Sequence, residues 1–164
     1  MNTTLTTHKN LSLEVRRVFP FPRPMVFEAW TGAEYLHRWM GPTPAIEAKY
    51  IEIDFREGGT YRFGFIEEGE PVKYVRGLYH MIQPPEKLVF SWTWEAPQID
   101  AGTETLVTVE FNEVAQGTEV YLRHERFASR EACELHKWGW EGTFDKLGAR
   151  LPSATGKWSR GGDR

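Results

Sequence analysis

Residues 129–151, SREACELHKWGWEGTFDKLGARL, decide how the rest of the chain is read. Within them Cys133, His136, Trp140, Phe144, Leu147 and Leu151 recur three or four residues apart, the interval that gathers one face of an α-helix. Glu134, Lys137, Glu141 and Lys146 fall between them, as solvated positions do. Ser129 is placed to cap the first turn, and Pro152 marks the end. Nowhere else does a helical period run so long.

Upstream, the period changes from helical to alternating. Val120, Leu122 and His124 alternate with Glu119, Tyr121 and Arg123, and before them Val107, Val109 and Phe111 alternate with Thr108 and Glu110. Leu88, Phe90, Trp92 and Trp94 follow the same rule, as do Tyr61, Phe63 and Phe65, and Ile51, Ile53 and Phe55. Gly58–Gly59, Pro84–Pro85 and Gln116–Gly117 punctuate these runs, so the pattern predicts antiparallel strands joined by turns. Residues 72–82 read as a further strand. At the front, 11–19 read as a strand stopped by Pro20, Pro22 and Pro24. Pro24 suits the first turn of a short helix reaching Trp30. Thr31 and Glu34 have capping-box spacing for a second, which carries Leu36 and Trp39 and stops at Gly41–Pro42.

The order is one strand, two short helices, six strands and one long helix. That is an α+β architecture: a curved seven-stranded antiparallel sheet around a C-terminal helix. One helix cannot fill everything such a sheet encloses, so a pocket is expected between them. The folded domain spans 11–151. The polar segments 1–10 and 152–164 are expected to be disordered.

Composition narrows the function. The chain has 164 residues, enough for one domain, with 14% aromatic residues and seven tryptophans, a surplus that suits a cavity lining. The net charge is −3 with both signs mixed, which argues against nucleic acid. The single cysteine, Cys133, excludes an internal disulfide. No apolar run reaches the roughly 18 residues of a membrane span, and Met1–Asn10 lacks a signal core, so a cytoplasmic location is expected.

Several segments then carry a family resemblance in their order and spacing. They are Arg38-Trp39-Met40-Gly41-Pro42, Phe55-Arg56-Glu57-Gly58-Gly59, Pro84 to Trp92, Val107-Thr108-Val109-Glu110-Phe111, Gly117-Thr118-Glu119-Val120 and His136-Lys137-Trp138-Gly139-Trp140. Together they resemble the Hsp90-ATPase-activator-like branch of the START/Bet v 1 (SRPBCC) superfamily over about residues 11–151. The resemblance implies a helix-grip fold with a cavity between sheet and helix. Relatives in that superfamily include lipid and hormone carriers, polyketide cyclases and a domain of an Hsp90 co-chaperone.

Eleven residues are candidates for the cavity. Tyr61, Phe63, Trp92, Trp94 and Val109 are inward strand positions, with Trp39 and Trp140 on the helices. His124 shares parity with Val120 and Leu122 and is the one catalytic candidate, read either as a core histidine or as a general acid/base. Arg76, His80 and His136 complete the set. The faces of Arg76 and His80 depend on whether a bulge reverses their strand. Gly139 costs its helix about 1 kcal/mol, the mark of a close approach to backbone or ligand. No His-x-His or His-x₃-His spacing, dinucleotide fingerprint, Walker motif or G-x-S-x-G occurs, so neither metal nor cofactor is expected.

The leading expectation is a protein that holds a hydrophobic or aromatic small molecule. The alternatives are a cyclase or dehydratase using His124 with Arg76 or His80, and an Hsp90-type co-chaperone or scaffold. An open sheet edge suggests a homodimer.

Overall fold

The computed structural model describes residues 11–98 and 100–154. The chain runs through β1 (Ser12–Phe19), α1 (Arg23–Glu28), α2 (Ala33–Trp39) and β2 (Glu47–Ile53). It continues through β3 (Thr60–Ile66), β4 (Lys73–Gln83), β5 (Lys87–Trp94), β6 (Thr105–Val114), β7 (Gly117–Glu125) and α3 (Arg130–Ala154). The strands form one antiparallel sheet in the order β1-β7-β6-β5-β4-β3-β2. From β2 to β7 each strand pairs with its successor, so these connections need only local turns. The first strand closes against β7, and α1 and α2 carry the chain across to the opposite edge. α3 returns over the enclosed face.

Alternation decides which side faces the helix. Val107, Val109 and Phe111 on β6 pair with His124, Leu122 and Val120 on β7, and all six are buried. Such same-face cross-strand neighbours are the basic stabilising contacts of a sheet. On α3, Phe144, Leu147 and Leu151 are completely buried, each contributing about 1.5–3 kcal/mol. Trp30 from the α1–α2 connection sits at their centre, 4.8 Å from Trp39, 5.9 Å from Phe111 and 6.2 Å from Phe144, ring centre to ring centre. The Ser129 cap forms as expected, its hydroxyl receiving the Ala132 amide at 3.1 Å.

Some local expectations are corrected. Thr31 does not cap α2; Gly32 stands at the N-cap, and the Thr31 hydroxyl donates back to the Glu28 carbonyl at 2.8 Å. α3 does not stop at Pro152 but continues to Ala154. Lys146, assigned to the solvated face, is buried, and its ammonium donates to the carbonyls of Thr43 (3.1 Å) and Ile46 (2.6 Å). On β4, Val75 and Tyr79 are the buried residues, so Arg76 and His80 face outward. The register shift lies between Tyr79 and Met81, after Arg76 and at His80 itself, and both side chains are exposed. The expected disorder of 1–10 falls outside the described residues, as does that of 155–164. Among the described residues no helix is long and apolar enough to cross a membrane.

Candidate ligand cavity

The space between sheet and helix is not uniformly filled. Toward the C-terminal half of α3 the aromatic and aliphatic side chains close on one another. Toward its N-terminal half the helix carries His136 and Gly139, and a cavity of about 260 Å³ opens there. Its walls are the β3–β5 end of the sheet, the segment from Met40 to Ile46, and α3. The floor is aromatic: Phe65 from β3, Trp92 and Trp94 from β5, and Trp140 from α3. Leu135 and Trp138 lie at the mouth, 48% and 58% exposed where large apolar side chains are normally covered. Glu67, Glu70 and Lys73 supply charge at the rim.

Two glycines on α3 explain how the helix meets its surroundings. At Gly142 a Cβ would fall onto the Pro42 carbonyl oxygen, with the Pro42 carbonyl carbon at 3.0 Å. The helix therefore presses directly on the α2–β2 connection there. At Gly139 a Cβ would meet nothing within 4 Å, because that direction is open. Of the two approaches expected at Gly139, the one to backbone occurs instead at Gly142. Gly139 borders the cavity.

Of the eleven candidate residues, Trp92, Trp94, His136 and Trp140 line this cavity. Trp39 and Val109 are packed in the core without exposure, and the Trp39 indole donates to the Ala29 carbonyl at 2.9 Å. Tyr61 and Phe63 are core as well, stacked 5.7 Å apart beside a small void of about 20 Å³. The Tyr61 hydroxyl donates to the Ser91 carbonyl at 2.7 Å. Arg76 and His80 are on the outer face, away from the cavity. Arg76 borders a broad polar groove with Arg62, Glu52 and Glu104, and reaches Glu95 at 4.0 Å. Glu95 is held more closely by Arg62, at 2.8 and 3.0 Å, which lowers its carboxyl pKa.

His124 is inside the protein but not on the cavity. The Trp140 indole donates to its Nδ1 at 3.0 Å, and its Nε2 meets the Thr105 hydroxyl at 2.7 Å. Because Thr105 donates its own proton to the Trp92 carbonyl at 2.6 Å, it accepts from His124. The tautomer is thereby set: Nε2 protonated, Nδ1 accepting, the ring neutral. Burial, and secondly the neighbouring His136, hold its pKa well below the usual histidine value. Both nitrogens are occupied in a relay that ties α3 to β5, β6 and β7.

His136 has a similar arrangement at the cavity wall. Its Nε2 accepts the Trp94 indole proton at 2.8 Å, so Nδ1 carries the proton and donates to the Ala132 carbonyl at 2.7 Å. Burial lowers its pKa, partly opposed by that carbonyl. The Cys133 thiol is half-buried, and burial pushes its pKa up, away from an activated thiolate. Among the described residues no three His, Cys, Asp or Glu side chains converge in a metal-binding group.

Sequence reasoning missed the walls contributed by connections: Met40, Pro42, Ile46, Pro71 and Gln98. It also missed Leu135, Trp138 and Thr143. Phe65 had its signal in the Tyr61–Phe63–Phe65 alternation, and Gly139 in its helical cost. The loop residues carried none, because the lining role of a connection depends on tertiary position.

A curved antiparallel sheet gripping one long C-terminal helix, with two short helices after the first strand, defines a helix-grip protein of the START/Bet v 1 superfamily. More narrowly, the chain belongs to the family described as activator of Hsp90 ATPase homolog 1-like protein, whose model matches residues 20–151. Solved structures agree in fold. A protein from Arthrobacter aurescens superposes with a TM-score of 0.77 at 20% identity, covering 89% of this chain and 88% of its own. A family member from Silicibacter pomeroyi gives 0.74 at 22% identity, with 85% and 96% covered. A protein from Chromobacterium violaceum gives 0.74 at 19% identity, with 84% and 95% covered. No curated protein sequence matches the chain.

Proposed function

We propose that this protein binds a small apolar, predominantly aromatic molecule in the cavity between the sheet and α3. The observation that carries the reading is the space in front of Gly139. A helix gains about 1 kcal/mol from alanine over glycine, yet this position keeps glycine where no neighbour forbids a side chain. What the glycine preserves is open volume over an aromatic floor. Concave, mostly apolar sites with few polar groups are the usual form of small-molecule pockets.

The acid–base alternative has less support. It required His124 to act with Arg76 or His80, but His124 is committed to Trp140 and Thr105 while the other two lie across the sheet. The Hsp90 partnership rests on the family description alone.

Titration with the neutral fluorophore 1-aminoanthracene tests the binding reading. The protein is expected to take one equivalent with a blue shift and enhanced emission. Gly139→Phe, which projects a ring into the cavity, is expected to abolish this while keeping the circular dichroism spectrum. Equal binding by the two proteins, or none by the native one, would refute the reading.

A further inference from the structure

Two buried indole N–H groups have no hydrogen-bond partner among the described residues, those of Trp30 and Trp92. Trp30 is 3% exposed and Trp92 5%. Buried donors are nearly always paired, and an indole nitrogen can only donate. Their positions are related. Both tryptophans border the small void of about 20 Å³ behind the cavity, and Trp92 borders the cavity as well. Met40 also lines both spaces, so Met40 and Trp92 form the partition between them. Methionine is unbranched, with rotatable bonds that let it give way where a branched residue could not.

The Tyr61 hydroxyl on the same void gives its proton to the Ser91 carbonyl, and neither indole N–H reaches a protein acceptor among the described residues. The inner end of the pocket thus holds unpaired donors in a largely hydrocarbon wall.

We infer that the cavity selects a flat apolar molecule bearing a carbonyl oxygen, which displaces Met40 and receives the indole proton of Trp92, the unpartnered donor that borders both spaces. A carbonyl oxygen accepts and carries no proton, so it pairs with an indole that can only donate. The inference rests on the cavity being the binding site and adds the polarity of its occupant.

The isosteric pair 9-fluorenone and fluorene tests it, since they differ only in the carbonyl. Fluorenone is expected to bind about tenfold more tightly than fluorene, the effect of pairing a donor otherwise left buried and empty. Trp92→Phe should bring the fluorenone and fluorene affinities to the same value, whatever the enlarged cavity does to both. In ¹⁵N–¹H spectra of the native protein, the Trp92 indole resonance should move with fluorenone and not with fluorene, a readout independent of the variant's folding. Equal binding of the two compounds would overturn the carbonyl assignment while leaving the cavity as a binding site. Preferential fluorenone binding with the Trp92 indole resonance unmoved would overturn the donor assignment. Binding of neither compound would overturn the ligand class, and the 1-aminoanthracene titration would then show whether the cavity binds at all.

Discussion

The same substitution at two positions one turn apart on α3 should have opposite effects on stability. Glycine-to-alanine in a helix interior gains about 1 kcal/mol because the backbone loses less entropy on ordering. At Gly139 nothing opposes that gain, since the added Cβ meets no atom within 4 Å. Gly139→Ala should therefore stabilise the protein by roughly 0.5–1 kcal/mol, a rise in melting temperature of about 1–4 °C for a chain of this size. At Gly142 the added Cβ collides with the Pro42 carbonyl oxygen, with further atoms of Pro42 at 3.0 and 3.3 Å. Backbone cannot rotate away as a side chain can, so helix and connection must separate. Overpacking of this kind costs about 1–3 kcal/mol or more, which exceeds the helical gain. Gly142→Ala should lower stability by roughly 1–2 kcal/mol net. Urea unfolding monitored by tryptophan fluorescence and circular dichroism measures both. If the two variants shift the midpoint in the same direction, the assignment of Gly139 to open space and Gly142 to backbone contact is wrong.

Stability should also fall on acidification below about pH 6.5, because His124 and His136 both have lowered pKa values in the fold. The unfolded chain takes up protons near pH 6.5 and the folded chain does not, so the loss develops as pH falls through that value. For His124 the slope approaches about 1.4 kcal/mol per pH unit until its folded-state value is reached; unfolding midpoints that stay flat between pH 7.5 and 5 would contradict the neutral relay. Lys146→Met should free the Thr43 and Ile46 carbonyls and cost about 1–3 kcal/mol. Hydrogen exchange should quicken in residues 41–46, and unchanged exchange there would remove the pinning role given to Lys146. The Gly139→Phe and Trp92→Phe variants separate loss of space from loss of a donor: the first should remove all aromatic ligands, the second the preference for the carbonyl compound over its hydrocarbon counterpart.

How much of this was legible beforehand divides along physical lines. The alternating runs of β6 and β7 and the Phe144–Leu147–Leu151 stripe were readable because burial on a sheet or helix imposes periods of about two and 3.6 residues. Strand parity failed on β4, where Val75 and Tyr79 alternate with residues almost as apolar, leaving the pattern no contrast to read. Lys146 was misplaced for a related reason. Charge predicts solvent only when no acceptor lies close, and its acceptors are backbone carbonyls about a hundred residues away.

For the long helix on which the reading began, sequence alone determined that it exists, that Ser129 caps it and which residues turn inward. These are consequences of local spacing and propensity. Only the tertiary structure decided which inward residues line a cavity and which fill a core. That depends on how closely facing backbones approach, as Gly142 does against Pro42 and Gly139 does not. His124 shows the difference most plainly: its inward direction followed from parity, whereas its neutral, fully bonded state came from Trp140, Thr105 and Trp92, which only folding brings together.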